Sequence, residues 1–162
     1  IMGYDINGDY SSLERLRNKY EYALIAIGQI KSPKTRIDIF DKLKKLNYKL
    51  PIIISPRAHV SKHSQINEGT IVMHDAIINA KSRVGSNCII NNKALVEHDA
   101  QIGNNCHIST GAIVNGCVTI GSNTFIGSGV VTKQNIEIGS NCIIGAGKTI
   151  SNDIKSNELI KN

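Results

Sequence analysis

His98 is the residue in this sequence best suited to acid–base chemistry, because it stands between two carboxylates, Glu97 and Asp99. Imidazole is the usual general base near neutral pH, and a neighbouring carboxylate can fix its tautomer and raise its basicity. A surface histidine between acidic residues has the same local sequence. The spacing alone leaves both interpretations open, so the elements that hold His98 matter.

The sequence around His98 repeats every six residues from Ile54 to Lys155. Of the 17 hexads, 16 begin with Ile or Val, and Thr132 is the exception. The fifth position is usually small, and the second is Gly or Asn in 10 of the 17 hexads. This period fits neither an amphipathic helix nor one long strand. It predicts a coiled parallel sheet in which three hexads form each triangular coil, with corner residues that accept a positive φ.

A coil of three hexads places residues 18 apart on the same edge. Gly116 follows His98 by that interval, and the segment Ile144–Gly147 follows Ile126–Gly129 by the same interval. The small residues of these two segments are predicted to stack into a smooth strip. Three cysteines, at intervals of 18 and 36 residues, occupy the small fifth position and are predicted to stack inside the coil: Cys88, Cys106 and Cys142.

Residues 1–53 follow another pattern, and we predict a small α/β unit ahead of the repeat. Ser11 with Glu14 has the pattern of a capping box and indicates a helix to about Lys19, and Tyr22–Ile27 has the composition of a buried strand. A second helix is predicted from Ser32-Pro33 to about Leu46, and a last strand over Pro51–Ile54. The predicted division is residues 1–53, a partial Rossmann-like unit that begins after its first strand, and residues 54–162, the repeat domain.

Composition excludes several classes of protein. The formal charge is +6, but its excess lies in residues 15–49, and no basic motif interleaved with aromatic residues is present, so nucleic-acid binding is not expected. No apolar run is long enough for a membrane span, which makes the cytoplasm the expected location. The cysteines form no CxxC motif, so neither disulfides nor a metal are expected.

The run NNKALVEHDAQIGNNCHISTGAIVNG, residues 91–116, resembles the signature of hexapeptide-repeat sugar acetyltransferases. That family includes sialic acid O-acetyltransferases and UDP-amino-sugar N-acetyltransferases of the bacillosamine type. The resemblance implies a mainly β fold, a left-handed parallel β-helix, assembled as a homotrimer with active sites between subunits. It also implies direct transfer of acetyl from acetyl-CoA to an amino or hydroxyl group of a sugar. The sequence leaves open which of these two groups is acetylated.

The same resemblance implies a role for individual residues. His98 corresponds to the catalytic base, and Asp99 to the acidic residue that orients it. His107 corresponds to a histidine at the acetyl-CoA end of the cleft, and Gly116 to the residue whose N–H reaches the thioester carbonyl. The predicted strip adds three further coenzyme-binding residues: Gly129, Gly145 and Ala146.

Two alternatives belong to other functional classes. A zinc hydratase of the γ-carbonic anhydrase type shares the coil architecture and uses histidine ligands, of which five are available: His59, His63, His74, His98 and His107. A non-catalytic β-helical scaffold is the other alternative. No activated Ser or Cys is recognised beside a base, so a covalent acetyl-enzyme is not expected.

Overall fold

The six-residue period of the sequence forms short strands joined by tight corners. The computed structural model describes Gly3 and residues 5–161, with two helices, α1 (Leu13–Arg17) and α2 (Lys34–Lys45), before the repeat. Each strand is two residues long, and in the regular coils it is formed by the sixth position of one hexad and the first of the next. The strands are β1 (Ile53–Ile54), β2 (His59–Val60), β3 (Gln65–Ile66), β4 (Ile71–Val72), β5 (Ile77–Ile78), β6 (Arg83–Val84), β7 (Ile89–Ile90), β8 (Leu95–Val96), β9 (Gln101–Ile102), β10 (His107–Ile108), β11 (Ile113–Val114), β12 (Thr119–Ile120), β13 (Phe125–Ile126), β14 (Val131–Thr132), β15 (Glu137–Ile138), β16 (Ile143–Ile144), β17 (Thr149–Ile150) and β18 (Leu159–Ile160).

The strands form three parallel sheets, which are the faces of a left-handed β-helix of about six coils. The strand order is β1-β4-β7-β10-β13-β16-β18 in the seven-stranded sheet, β2-β5-β8-β11-β14-β17 in the six-stranded sheet and β3-β6-β9-β12-β15 in the five-stranded sheet. Partners such as Ile71 and Ile89 are 18 residues apart, which confirms the predicted coil. The last coil is shorter, because Ile143 pairs with Leu159 and the repeat loses two residues after β17.

The interior of the β-helix is filled by the first and fifth positions of the hexads. The first-position residues from Val72 to Ile150 are all at most 6% exposed. Fully burying an aliphatic side chain contributes about 1.5–3 kcal/mol, so this column is the main source of stability for the domain. Thr132, the exception at the first position, is also fully buried, and its Oγ1 accepts the N–H of Asn115 at 3.0 Å.

The corners differ from the prediction in which residue takes the positive φ. That residue is usually the fourth of each hexad, where φ lies near 60° in residues such as Asp99 and Asn105. The glycines of the second position are needed for another reason: a Cβ on Gly85 would lie 2.5 Å from the Asn104 Oδ1 of the next coil. Close stacking of coils, rather than backbone conformation, therefore selects Gly at the second position.

One corner carries two ladders of side chains. Five asparagines form the first, in which each amide N–H donates to the next side chain at 2.9–3.1 Å: Asn87, Asn105, Asn123, Asn141 and Asn157. The three predicted interior cysteines are fully buried at the fifth position of the same corner, which confirms their placement. They are more than apolar fillers, because the Cys88 and Cys106 thiols donate to the carbonyls of Gly103 and Gly121 at 3.1 and 3.2 Å.

The N-terminal unit contains both predicted helices but little sheet. Helix α1 begins after Ser12, and Ser11 donates to Asp9 instead of forming the predicted capping box. The predicted strand over residues 22–27 makes one parallel bridge, between Tyr22 and Lys49. The predicted last strand pairs with β4 of the β-helix. A small core joins the pieces: Ile25, Leu43, Tyr48 and Leu50.

A buried arginine fixes the N-terminal unit against the β-helix. Arg36 is 1% exposed and donates to the carbonyls of Ile25 at 2.7 Å and Ile27 at 2.9 Å, while its Nε reaches the Asn87 carbonyl at 3.2 Å. Residues 25–29 therefore lie against the seven-stranded sheet. No helix between residues 5 and 161 is long and apolar enough to cross a membrane.

Candidate active site

His98 and Asp99 lie together on the corner between β8 and β9. The His98 Nδ1 is 2.9 Å from Asp99 Oδ2. Because a carboxylate oxygen accepts, this contact places the ring proton on Nδ1 and leaves the lone pair of Nε2 free. Nε2 makes no hydrogen bond to any residue that the structure describes, and the side chain is 60% exposed. The ring is thus oriented with its basic nitrogen available to a substrate.

Glu97, the other carboxylate beside His98, has a different role. Its Oε2 accepts from Asn79 Nδ2 at 2.8 Å and from the His98 backbone N–H at 3.2 Å. Asn79 precedes Glu97 by 18 residues, so it occupies the same position in the coil below. Glu97 therefore holds the backbone of the corner, and Asp99 is the carboxylate that contacts the ring.

Gly116 lies directly beneath the imidazole of His98. A Cβ at this position would lie 2.7 Å from both Cε1 and Nε2 of the ring, closer than real Cβ atoms approach. The ring therefore packs on bare backbone that only glycine provides. The Gly116 N–H donates to no described acceptor, whereas its carbonyl accepts from Asn135 at 3.0 Å. An unused donor, the Gly116 N–H, and an unused acceptor, His98 Nε2, therefore lie on the same edge.

Cys117 also lies on this corner, and it was not recognised from the sequence as a neighbour of the proposed base. It is exposed, and its Sγ, a His98 ring nitrogen and an Asp99 carboxylate oxygen all lie within 4.8 Å of one another. The signal was available, because Cys117 follows Asp99 by one coil of 18 residues and both have φ of 59°. Cys117 is therefore a cysteine near the proposed base that the sequence analysis did not identify, and the expectation that no covalent acetyl-enzyme forms stays a prediction.

A basic hollow of about 320 Å³ adjoins Asp99 on the side of the earlier coils. Besides Asp99, it is lined by His63, Lys81 and Arg83. Within the described part of the chain, neither Lys81 nor Arg83 forms an ion pair. Lys81 and Arg83 therefore give the hollow the charge to bind an anionic group beside Asp99, the carboxylate that contacts the imidazole.

His107 lies elsewhere, on β10 of the seven-stranded sheet beneath residues 25–29. It is 7% exposed. Its Nδ1 donates to the Gln29 carbonyl at 2.7 Å, so Nε2 accepts from Asn91 Nδ2 at 3.1 Å. Burial lowers the pKa of His107, and the nearby charge of Arg36 lowers it further, against the raising effect of the Gln29 carbonyl. Both nitrogens are used inside the protein, and the predicted coenzyme role of His107 stays a prediction.

The predicted coenzyme strip lies on a second edge of the prism. Ile126 pairs with Ile144, so the small residues after them stack as predicted. A Cβ at Gly127 would lie 2.6 Å from the Ala146 N, whereas one at Gly129 would meet nothing within 4 Å. This edge joins the seven- and six-stranded sheets, while His98 lies where the six- and five-stranded sheets meet. One face, at most about 20 Å wide for six extended residues, separates the two edges within a chain.

Histidine clustering does not support a zinc site made of several imidazoles in one chain. Among residues in the described ranges, one group of three side chains has the spacing to hold a metal, and it consists of His98, Asp99 and Cys117. The other four histidines belong to no such group. His74, for example, pairs through Nδ1 with the hydroxyl of Ser55 at 2.6 Å.

Comparison with known proteins supplies the family. A model of the bacterial transferase hexapeptide, six repeats, matches residues 81–116, 99–134 and 117–152. No curated protein sequence matches significantly. The acetyltransferase domain of PglB from Neisseria gonorrhoeae, solved in complex with acetyl coenzyme A, is 30% identical with a TM-score of 0.94; the match covers 100% of this chain and 78% of that one.

Two further solved structures are similar. A variant of perosamine N-acetyltransferase from Caulobacter crescentus, in complex with CoA and GDP-perosamine, is 29% identical over 100% of this chain and 76% of that one, with a TM-score of 0.95. WeeI from Acinetobacter baumannii is 22% identical over 97% and 77%, with a TM-score of 0.87, and shows the fold alone. With its repeat, its fold and these relatives, the chain belongs to the hexapeptide-repeat sugar acetyltransferases, a family of acyltransferase enzymes.

Proposed function

We propose that this protein transfers acetyl from acetyl-CoA to the amino group of a nucleotide-linked sugar, with His98 as general base. The observation that carries the proposal is the imidazole held by Asp99 over the backbone of Gly116, with Nε2 free. The ligands named for the similar structures, acetyl coenzyme A in one and CoA with GDP-perosamine in another, support the substrate classes. Those names favour an amine over the hydroxyl of a sialic-acid-like sugar.

The reaction proposed is a direct transfer. His98 Nε2 accepts a proton from the acceptor nitrogen as that nitrogen bonds to the acetyl carbon, and the C–S bond breaks to release CoA. Asp99 stabilises the imidazolium that forms. The unused N–H of Gly116 can donate to the thioester oxygen as it gains negative charge, which is the usual way a backbone donor stabilises such a transition state.

The basic hollow supports an acceptor that carries an anion. It adjoins Asp99 on the side opposite Gly116, so an acceptor and a thioester can approach His98 from opposite directions. Lys81 and Arg83 can then bind a phosphate of a nucleotide-linked sugar. The carboxylate of a sialic-acid-like sugar would satisfy the same charges, and a screen of both acceptor classes distinguishes them.

Assembly completes the proposed site. The outer face of the six-stranded sheet carries an apolar column in register, formed by Ile77, Leu95, Ile113 and Val131. We propose that three copies pack this face around a three-fold axis. The two edges that bound the face then meet between neighbours, so that His98 of one copy faces the strip of Gly129, Gly145 and Ala146 of the next. Both ring nitrogens of His107 are hydrogen-bonded within the protein, so we propose that His107 influences coenzyme binding indirectly, by positioning the side chain of Asn91.

The test is an assay of acetyl transfer to amino sugars linked to nucleotides, in which the thiol of the released CoA is measured. His98→Ala is expected to lower turnover by about 10²- to 10⁴-fold, the usual contribution of a positioned base, and to leave acetyl-CoA binding nearly unchanged. Asp99→Asn is expected to cost less, because Asn suits the left-handed backbone at this position and still meets the ring. Glu97→Gln is the matched control, since the hydrogen bonds of Glu97 go to Asn79 and to the His98 backbone and not to the ring.

Near wild-type turnover of His98→Ala across neutral pH would contradict the proposed base. Zinc-dependent activity without thiol release would favour the hydratase, and no acceptor-dependent thiol release under any condition would favour the scaffold. The same assay therefore separates the three functional classes.

A further inference from the structure

The cluster of His98, Asp99 and Cys117 combines three different metal-binding groups on one rigid corner. Their ligand atoms lie within 4.8 Å of one another, and Asp99 and Cys117 occupy equivalent positions in adjacent coils. The backbone N–H of Cys117 donates to the His98 carbonyl at 3.0 Å, which fixes the spacing between the coils. Ligand atoms at about 2.0–2.3 Å from one tetrahedral ion lie roughly 3.3–3.8 Å apart, so the three side chains would have to approach one another by about 1 Å to hold a metal.

We propose that this cluster is a binding site for a soft divalent cation such as Zn²⁺. Thiolate, imidazole and carboxylate are the ligands that Zn²⁺ prefers, at about 2.0–2.3 Å. A thiolate disfavours Mg²⁺ and Ca²⁺, which take oxygen ligands, so the donor set selects against the commoner divalent ions. Three protein ligands on an exposed corner leave a fourth position for water.

Cys117 is what gives the site its selectivity. The chain has four cysteines, and the other three are fully buried in the interior column, with their thiols donating to backbone carbonyls. A cation in solution can therefore reach one thiol of the chain.

Occupation of the site has a consequence for catalysis that rests on the proposed function. A metal-bound imidazole nitrogen has no lone pair for a substrate proton, and an Asp99 carboxylate bound to the ion no longer orients the ring. Zn²⁺ is therefore expected to inhibit acetyl transfer reversibly, by occupying the base itself. The binding step does not depend on that function and can be measured alone.

The first experiment uses Co²⁺ as a probe with the full chain, freed of metal by a chelator. A thiolate bound to Co²⁺ gives an intense near-ultraviolet charge-transfer band, which we expect in the wild type and which Zn²⁺ should abolish. Cys117→Asn should lack the band, and Asn is the residue at this corner one coil later, Asn135, with φ of 58°. Asn135→Ser is the matched control and should keep it. Absence of the band in the wild type, or an equal band in Cys117→Asn, would overturn the proposal.

The second experiment measures acetyl transfer against Zn²⁺ concentration. Cys117→Asn, compared with its own turnover without metal, is expected to need at least about tenfold more Zn²⁺ for half-inhibition, because loss of even a group that supports a metal ligand typically costs that much in affinity. A chelator should restore the wild type. Equal inhibition of both proteins would contradict the link to catalysis. If the chain proved to have no acetyltransferase activity, the cobalt band would still decide whether the site exists, and Cys117→Ser provides a second variant for both measurements.

Discussion

The imidazole of His98 is positioned by contacts on two sides. Asp99 fixes the tautomer through Nδ1, and Gly116 provides the flat surface on which the ring lies. Glu97 holds the backbone between them. The free Nε2 and the free Gly116 N–H therefore have a defined geometry relative to each other, which is what acid–base and oxyanion chemistry require.

Gly116→Ala tests whether that position of the ring matters. The new Cβ would lie 2.7 Å from two ring atoms, so the imidazole must leave its place above the backbone. Displacement of a catalytic group by about 1 Å can cost on the order of 10²-fold in rate, and we expect turnover to fall by that amount. Gly28→Ala is the control, because its Cβ would meet nothing within 4 Å. If Gly116→Ala had the turnover and the thermal stability of the wild type, the position of the His98 ring above Gly116 would not matter for catalysis.

The sequence predicts residue neighbours only where the repeat connects them. The interval of 18 places His98 beside Gly116, and the same interval, applied to Asp99, places Cys117 there as well. The partners of His107 could not be predicted in this way. Gln29 lies in the N-terminal unit, which has no periodic relation to β10, so the contact depends on how the unit packs against the seven-stranded sheet.

Among the elements of the fold, the asparagine ladder is a distinct source of stability for one edge. Asn105 donates to Asn123 and accepts from Asn87, and it also takes the left-handed conformation. Asn135 has the same conformation on another edge but makes no side-chain hydrogen bond to a described residue. Alanine at either position costs about 1–2 kcal/mol for the backbone alone.

Asn105→Ala is therefore expected to lower the free energy of unfolding by about 1–3 kcal/mol more than Asn135→Ala, because it leaves two part-buried amides without partners. Denaturant unfolding of the two variants measures the difference. Equal losses would mean that the ladder contributes nothing beyond the conformational preference of asparagine.

The contact between the N-terminal unit and the β-helix should depend on pH through His107. Its pKa is lowered in the folded state by burial and by Arg36, so the unfolded chain binds the proton more readily. Stability is then complete above about pH 6.5, where the ring is neutral in both states, and falls as the pH drops below it. Protonation would also place a hydrogen on Nε2, so that two donors, the Nε2–H of His107 and the Nδ2–H of Asn91, would face each other.

We expect wild-type thermal stability to decrease from about pH 7.5 to about pH 5.5 more steeply than that of His107→Gln, which cannot titrate. Comparison of the two slopes removes any constant cost of the substitution. Parallel slopes would show that the burial of this ring does not control acid stability.

The elements themselves were predictable to different degrees. The strands and the core follow from one aliphatic residue in every hexad, and helix α2 from the Ser32-Pro33 start and its apolar face. The predicted strand at residues 22–27 keeps one bridge because the described residues supply no further partner beyond Lys49. The shortened last coil was missed because Ile150 opens a hexad that looks regular, whereas Ile154 within it pairs with Ile138 two residues early.

In the proposed trimer, the apolar column of the six-stranded sheet lies between the two halves of the proposed site. Each chain would hold the proposed base on one edge and the proposed coenzyme strip on another, and packing three copies through the intervening face would join them. We expect a trimer in sedimentation at micromolar concentration. A fully active monomer would contradict the proposal, because within one chain the six-stranded face separates the His98 edge from the coenzyme strip.

Subunit complementation tests this arrangement. His98→Ala removes the base, and Ala146→Trp blocks the strip on the other edge, so each homotrimer should be inactive. In mixed trimers, a site is intact when its His98 edge comes from the Ala146→Trp chain and its strip from the His98→Ala chain. Random assembly from equal amounts produces such a site about one time in four, so roughly a quarter of wild-type activity should return.

A mixture of His98→Ala with Gly116→Ala is the control, because both defects lie on the same edge and neither chain supplies that edge intact. Recovery in the first mixture and not in the second requires a site shared between neighbouring copies, whereas a site contained in one chain gives no recovery in either.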